Sequence, residues 1–302
     1  MKNRVALMFV VLLPFACVAL FAQNSKIADR PEEMPVAGIY WAKGAAQTHG
    51  QPSSPNLIYH GGPILSTANV QAIFWGTSWA TNPGDKISGL DLFYKGISGS
   101  AYAGTCNEYN ASSGNQVTSA ISYSGYVIDS SQAPSNGSQT SRILAEVCKV
   151  IGPNVVSNGF YPVYIDNPRV SNYCAWHTAG SCNGVTVQFA FFYKLDGDPG
   201  CDPQSTVPNQ SEGLAALANV SGHELSEART DPVLNAWYDS SGGENADKCA
   251  WTFANPYVTF PNGTAWKIQG NWSNQAYTTS SGYPNSNGQW GCIDGGGPNS
   301  PK

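Results

Sequence analysis

Ser221-Gly222-His223-Glu224-Leu225-Ser226-Glu227-Ala228-Arg229-Thr230-Asp231-Pro232 puts a histidine, two glutamates and an aspartate within nine residues. The whole chain has only four histidines and 12% charged residues, so this is a local concentration of chemistry. On a helix, His223 and Glu227 share one face, four residues apart. Glu224 then lies about 100° round the axis from His223. The pattern resembles the zinc-peptidase motif H-E-x-x-H with glutamate in place of the second histidine. In that chemistry three protein ligands hold zinc and leave a position for water. The metal lowers the water's pKa, and a carboxylate takes its proton. Here His223 and Glu227 are the candidate ligand pair and Glu224 the candidate catalytic base.

A third ligand must come from elsewhere. Asp231 is the first choice, because Pro232 breaks the helix beside it and lets it swing in. Asp239, Glu244 and Asp247 follow in the next sixteen residues, and His177 and His60 are more distant alternates. Glutamate for the second histidine also opens the site to a metal harder than zinc. The competing reading is structural. Glutamates and Arg229 at a helix end can form ion pairs, and Thr230-Asp231-Pro232 can be a helix stop in which Asp231 accepts backbone N–H groups. A separate group, Asp196, Asp198 and Asp202, is a candidate for calcium, but its spacing is not that of a recognised calcium loop.

These residues need elements to position them. Asn209 or Ser211 can cap a helix that carries Glu212 in its first turn, buries Leu214, Leu217, Ala218 and Leu225, and stops at Pro232. Upstream, Val70 to Gly76 is apolar enough for a strand buried on both faces. Gly89 to Ser98 has helical spacing, and Val117 to Ile128 alternates as a strand. Ser138 to Ile151 is an amphipathic helix ended by Gly152-Pro153. Phe160 to Ile165 and Gly184 to Tyr193 are strands, with a cysteine-bearing loop expected between them. The part from Trp237 to Cys292 is rich in Gly, Asn and Ser, with strand fragments expected at Cys249–Phe253 and Thr264–Gln269. The fold class implied is α/β (α+β): a mixed sheet with packed helices, a zincin-like placement of the motif-bearing helix, and a loop-rich C-terminal part.

Lys2 and Arg4, then the apolar run Val5 to Phe21, read as a signal peptide cut near Ala22. Residues 23–55 read as an extended polar leader, 56–293 as one globular domain and 294–302 as a flexible tail. The net charge of −5 becomes −7 once Lys2 and Arg4 are removed. With no basic stripe, nucleic acid and anionic membrane are not expected partners, and no membrane contact is expected after signal cleavage. A monomer is expected. Seven cysteines remain after Cys17, which suggests up to three disulfides and one odd thiol in an exported protein. Cys174–Cys182 and Cys249–Cys292 are the plausible local pairs. No C-x-x-C, G-x-S-x-G, P-loop or dinucleotide glycine pattern occurs. The nine Trp and fifteen Tyr fit a β-rich core, with a carbohydrate-binding face as the alternative.

Tyr59-His60-Gly61-Gly62-Pro63 followed by Phe74-Trp75-Gly76 resembles the opening signature of the phosphate-induced, EXORDIUM-like family of secreted proteins. Cys174-Ala175-Trp176 resembles its mid-chain motif, and Thr230-Asp231-Pro232 is similar to its Thr-Asn-Pro. The resemblance runs from about Asn56 to Cys292. It implies an extracellular or cell-wall protein, tied in plants to growth responses, with no settled biochemical activity. The His-Glu-x-x-Glu stretch departs from the plant members and looks like a bacterial branch. Two functions follow. One is a secreted zinc-dependent peptidase acting on peptides. The other is a non-enzymatic extracellular protein that binds a cell-wall or surface component, its acidic cluster being structural.

Overall fold

The computed structural model describes residues 33–45 and 54–296. The expected signal peptide lies outside the described residues. Six strands form the central sheet: β1 (Ala37–Trp41), β3 (Ala68–Trp75), β4 (Ile121–Asp129), β5 (Gly159–Pro168), β6 (Tyr173–Cys182) and β7 (Val185–Lys194), in the order β1-β6-β7-β5-β3-β4. A further short strand, β2 (Ile58–Tyr59), pairs with β8 (Trp237–Tyr238) away from this sheet.

The topology follows from the connections. β3, β4, β5 and β7 run parallel, which requires crossovers. Helix α1 (Lys86–Ile97) and the short α2 (Ala101–Gly104) lie between β3 and β4, and α3 (Thr140–Ile151) lies between β4 and β5. β6 and β7 are antiparallel and are joined by Asn183-Gly184, both at positive φ (52° and 79°). That dipeptide suits the two-residue hairpin turn that matches strand twist. β1 adds antiparallel to β6 at the sheet edge. The sheet is therefore mixed, with helices packed on it.

Several expectations shift. The stretch expected to be a cysteine-bearing loop is strand β6, in which Ala175, Trp176, His177 and Thr178 are all buried. Cys174 and Cys182 sit at opposite ends of that strand, roughly 26 Å apart at the rise of extended chain, so they cannot bridge. The disulfides are instead Cys148–Cys182, Cys174–Cys201 and Cys249–Cys292, and Cys106 is a buried free thiol. β1 lies inside the stretch read as a leader. Residues 247–249 form a 3-10 turn rather than the start of a strand, while Ala265–Trp266 pairs with Val258–Thr259. Asp294, assigned to the tail, is buried and accepts from Asn255 Nδ2.

Helix α4 (Glu212–Thr230) carries the motif. Ser211 caps it, its hydroxyl accepting from the Leu214 N–H at 3.1 Å. α4 packs against α1, β1, β6 and β7, and every residue from Gly213 to Thr230 is buried. A helix covered on all sides cannot leave its polar residues in water, so each must find a partner inside. Its C-terminal half carries His223, Glu224, Ser226, Glu227, Arg229 and Thr230, and this is where the candidate site forms. A last short helix, α5 (Asn274–Thr279), packs on the strand Trp290–Ile293.

Candidate metal centre

One helical turn brings His223 Nε2 to 3.1 Å from Glu227 Oε2. The loop after β8 folds back over them. Asp247 Oδ1 lies 3.7 Å from His223 Nε2, and the Asp247 N–H donates to Glu227 Oε1 at 2.8 Å. The Glu244 N–H donates to Asp247 Oδ2 at 3.1 Å, which fixes the loop on itself. From the sheet side, His177 on β6 reaches Glu244 Oε2 at 3.2 Å and Glu227 Oε2 at 3.6 Å. Two triads result, each with its candidate ligand atoms within 4.8 Å of one another: His177, Glu224 and Glu227, and His223, Glu227 and Asp247.

The sequence candidates sort as follows. His223, Glu224 and Glu227 come together, joined by Asp247, Glu244 and His177 from the alternates. Asp231 does not join them. It is the residue that ends α4, and its Oδ1 accepts from the Asn235 and Ala236 N–H groups at 2.6 Å each. The helix break that was expected to let Asp231 swing into the site turns it instead onto its own loop. Asp239 is also elsewhere, paired with Lys248 Nζ at 2.6 Å and accepting from Ser241 and Gly243. His60 stacks on Tyr238, with centroids 3.6 Å apart. Of the calcium candidates, Asp198 is held by Arg169 and Asp196 by Lys86.

The sequence reading missed four contributors. Gly38 on β1 has φ +52°, and a Cβ there would lie 2.0 Å from Glu227 Oε2 and 2.5 Å from His177 Nε2. Only glycine lets the β1 backbone close over the cluster. Tyr40, two residues on, sets its ring edge-on to His223 at 4.7 Å. Asn219, one turn before His223, donates to the Tyr40 hydroxyl at 2.8 Å and accepts from the Gln269 N–H at 2.9 Å. The Gln269 side-chain nitrogen lies 3.1 Å from His223 Nδ1 and 2.8 Å from Ala246 O. Gly38 and Tyr40 fell in the stretch read as leader, and Gln269 at the end of an expected strand fragment, so no local pattern marked them.

The electrostatics follow from burial. His177, His223, Glu224 and Glu227 are all 0% exposed. Loss of solvent first, and the neighbouring His223 second, lower the pKa of His177 to about 3. Burial likewise lowers His223 to about 4, against the opposing pull of Asp247. Both rings are therefore neutral at pH 7, the form that binds metal. Burial first, and the Glu227 charge second, push Glu224 and Glu244 well above the usual carboxylate range. Neither has a lysine or arginine partner among the described residues.

No family model matches the chain, and no solved structure matches it. It is 24% identical over 227 residues to Protein EXORDIUM-like 5 from Arabidopsis thaliana. That match covers 63% of this chain and 61% of the plant protein's length. The similarity is of the same kind as the family resemblance read from the sequence.

Proposed function

We propose that this chain is a secreted, non-enzymatic EXORDIUM-like protein that binds a cell-wall or surface component, its His/carboxylate cluster serving the fold. One observation carries this reading. Glu224, which a peptidase would need in contact with water and substrate, is 0% exposed. The cavity beside the cluster, about 140 Å³, is lined by Asp231, Leu234, Tyr238, Gly242 and Glu244 and does not touch Glu224. Export is supported by three disulfides, which persist in oxidising compartments, and by the extracellular location that the family resemblance implies.

The surface offers a place for a polysaccharide. A groove of about 380 Å³ between α1 and the edge strand β4 is lined by Tyr123 and Tyr126 together with Asp91, Lys95 and Ser98. Tyr126 is 43% exposed. Aromatic faces pack on sugar rings, and the carboxylate and hydroxyl accept from sugar hydroxyls. The test is co-sedimentation of the mature protein with insoluble cell-wall polysaccharide. Binding that Tyr126→Ala weakens while the fold survives supports the reading; no binding to any wall fraction overturns it.

A zinc peptidase is the second reading. It draws on the placement of Glu224 beside His223 and on its two carboxylate oxygens, which have no well-aligned hydrogen-bond donor beyond the approach of the Tyr40 backbone. Hydrolysis of casein or a peptide by the mature protein, abolished in Glu224→Gln, would favour it over the first.

A further inference from the structure

The geometry points to a divalent-cation centre buried under β1, with zinc the best fit, held by His223 Nε2, Glu227 and Asp247 and acting as a staple between α4 and the 244–247 loop. The separations are the first ground. Ligand atoms at zinc bond lengths of about 2.0–2.1 Å stand roughly 3.3 Å apart around a tetrahedron. His223 Nε2 is 3.1 Å from Glu227 and 3.7 Å from Asp247.

The second ground is that His223 Nε2, fully buried, has no well-aligned hydrogen-bond partner, its near neighbours being the Gly38 backbone and Glu227. Its approach to Glu227 is close but misaligned for an N–H donor, so the two atoms face a common point rather than each other. A buried polar atom left in this way costs on the order of 1–3 kcal/mol. A dication between His223, Glu227 and Asp247 offsets that cost and the like charge of the two carboxylates brought together there.

The other triad is less suited to the ion. His177 Nε2 is engaged with Glu244 Oε2 at 3.2 Å, and this triad shares Glu227 with the first. One ion per chain is therefore expected. Gln269 sets a condition on loading. Its amide nitrogen faces His223 Nδ1, which places the ring proton on Nε2. The cation takes the Nε2 lone pair, the ring proton moves to Nδ1, and Gln269 turns its carbonyl to accept it, giving up its bonds to Ala246 O and from the Trp251 N–H.

The consequence is mechanical. His223 and Glu227 belong to α4 and Asp247 comes from the loop, so a single ion fastens the 244–247 loop to α4 beneath Gly38 of the edge strand β1. The staple is independent of what the surface groove binds and of any hydrolysis.

The test is metal analysis of the mature protein after exhaustive chelation, dialysis and reconstitution with zinc, in parallel with calcium. The expected result is one zinc per chain, a rise in thermal midpoint on adding zinc, and a shift of the His223 nitrogen-15 resonances to the Nδ1–H form. Asp247→Asn, which keeps the loop's shape, should weaken zinc by more than the roughly 100-fold typical of a lost outer-shell partner. Should Asp247→Asn fail to fold, the wild-type titration and the His223 resonances still decide. No retained zinc, with no midpoint or tautomer shift, overturns the proposal and leaves the cluster a proton-sharing network. Zinc retained unchanged in folded Asp247→Asn places the ion elsewhere and overturns it equally.

Discussion

Replacing Gly38 by alanine separates a tight closure of β1 over the cluster from mere proximity. The Cβ would meet Glu227 Oε2 at 2.0 Å, His177 Cδ2 at 2.3 Å and His177 Nε2 at 2.5 Å, and φ there is +52°. Two costs add. An L-residue in the left-handed region costs about 1–2 kcal/mol, and forcing a methyl into a packed interior costs a further ~1–3 kcal/mol. Gly44 supplies the control. It also has positive φ, +77°, but nothing lies within 4 Å of its Cβ position. Gly44→Ala should therefore show the backbone cost alone, about 1–2 kcal/mol, and Gly38→Ala roughly 2–5 kcal/mol. Urea denaturation of both variants, with zinc and with a chelator, reads the difference, since a changed midpoint at constant slope reports stability. The wild-type gain from zinc should be reduced or lost in Gly38→Ala, because relief of the clash must move Glu227 or His177. If Gly38→Ala and Gly44→Ala differ by less than about 0.5 kcal/mol and both respond to zinc as the wild type does, the closure over the cluster is not tight and the reasoning fails.

Further outcomes follow from the same contacts. In cation-free protein the two histidines, with folded pKa values of about 3 and about 4, bind fewer protons folded than unfolded, so stability falls as pH drops below about 6.5. Glu224 and Glu244, raised by burial, keep protons in the folded state that the unfolded chain releases above about 4.5, so stability also falls as pH climbs from there. The chelated protein should thus be most stable at mildly acid pH, and zinc should remove the loss on the alkaline side; a flat urea midpoint between about pH 4 and 8 would contradict the burial argument. Peptide mapping should recover Cys174 with Cys201 and Cys148 with Cys182, and Cys174→Ala/Cys201→Ala should cost about 3.5 kcal/mol from the freed loop of the unfolded chain. Asp231→Ala, which removes an acceptor for two backbone N–H groups, should cost about 1–3 kcal/mol in thermal or urea melts while leaving zinc content unchanged, and a lost zinc would return Asp231 to the site.

The sequence exposed those parts of the fold and site that depend on local pattern. The buried run of β3, the amphipathic face of α3 and the i, i+4 pair His223 and Glu227 all declare themselves within a dozen residues, because periodicity and helical pitch act over that range. β6 did not, since Cys174-Ala175-Trp176-His177-Thr178 faces the protein interior and has no alternation to betray a strand; its pairing with β7 is enforced by the Asn183-Gly184 turn and by burial rather than by local preference. The third member of the triad was legible only as a set of alternates. Asp231 and Asp247 are the same residue type, and the choice between them rests on where Pro232 sends the chain. It sends it away from α4, so Asp231 satisfies Asn235 and Ala236 at the turn, and the loop must run through β8 before Asp247 can return to Glu227.

That return explains why the helix can be buried all round. A helix with His223, Glu224 and Glu227 on its surface would ordinarily keep that side in water, where the charges are solvated. Here the 244–247 loop and β1 replace the water, and each brings groups shaped to the polar side chains: backbone N–H groups for Glu227, a carboxylate for His223, and a glycine where a Cβ would collide. Covering charges in this way without a countercharge is costly, and the arrangement has no lysine or arginine at Glu224 or Glu244 to relieve it. The dication proposed among His223, Glu227 and Asp247 would make the covering favourable. The same covering denies a peptide access to Glu224, so the closure that favours a structural ion also argues against hydrolysis at this helix.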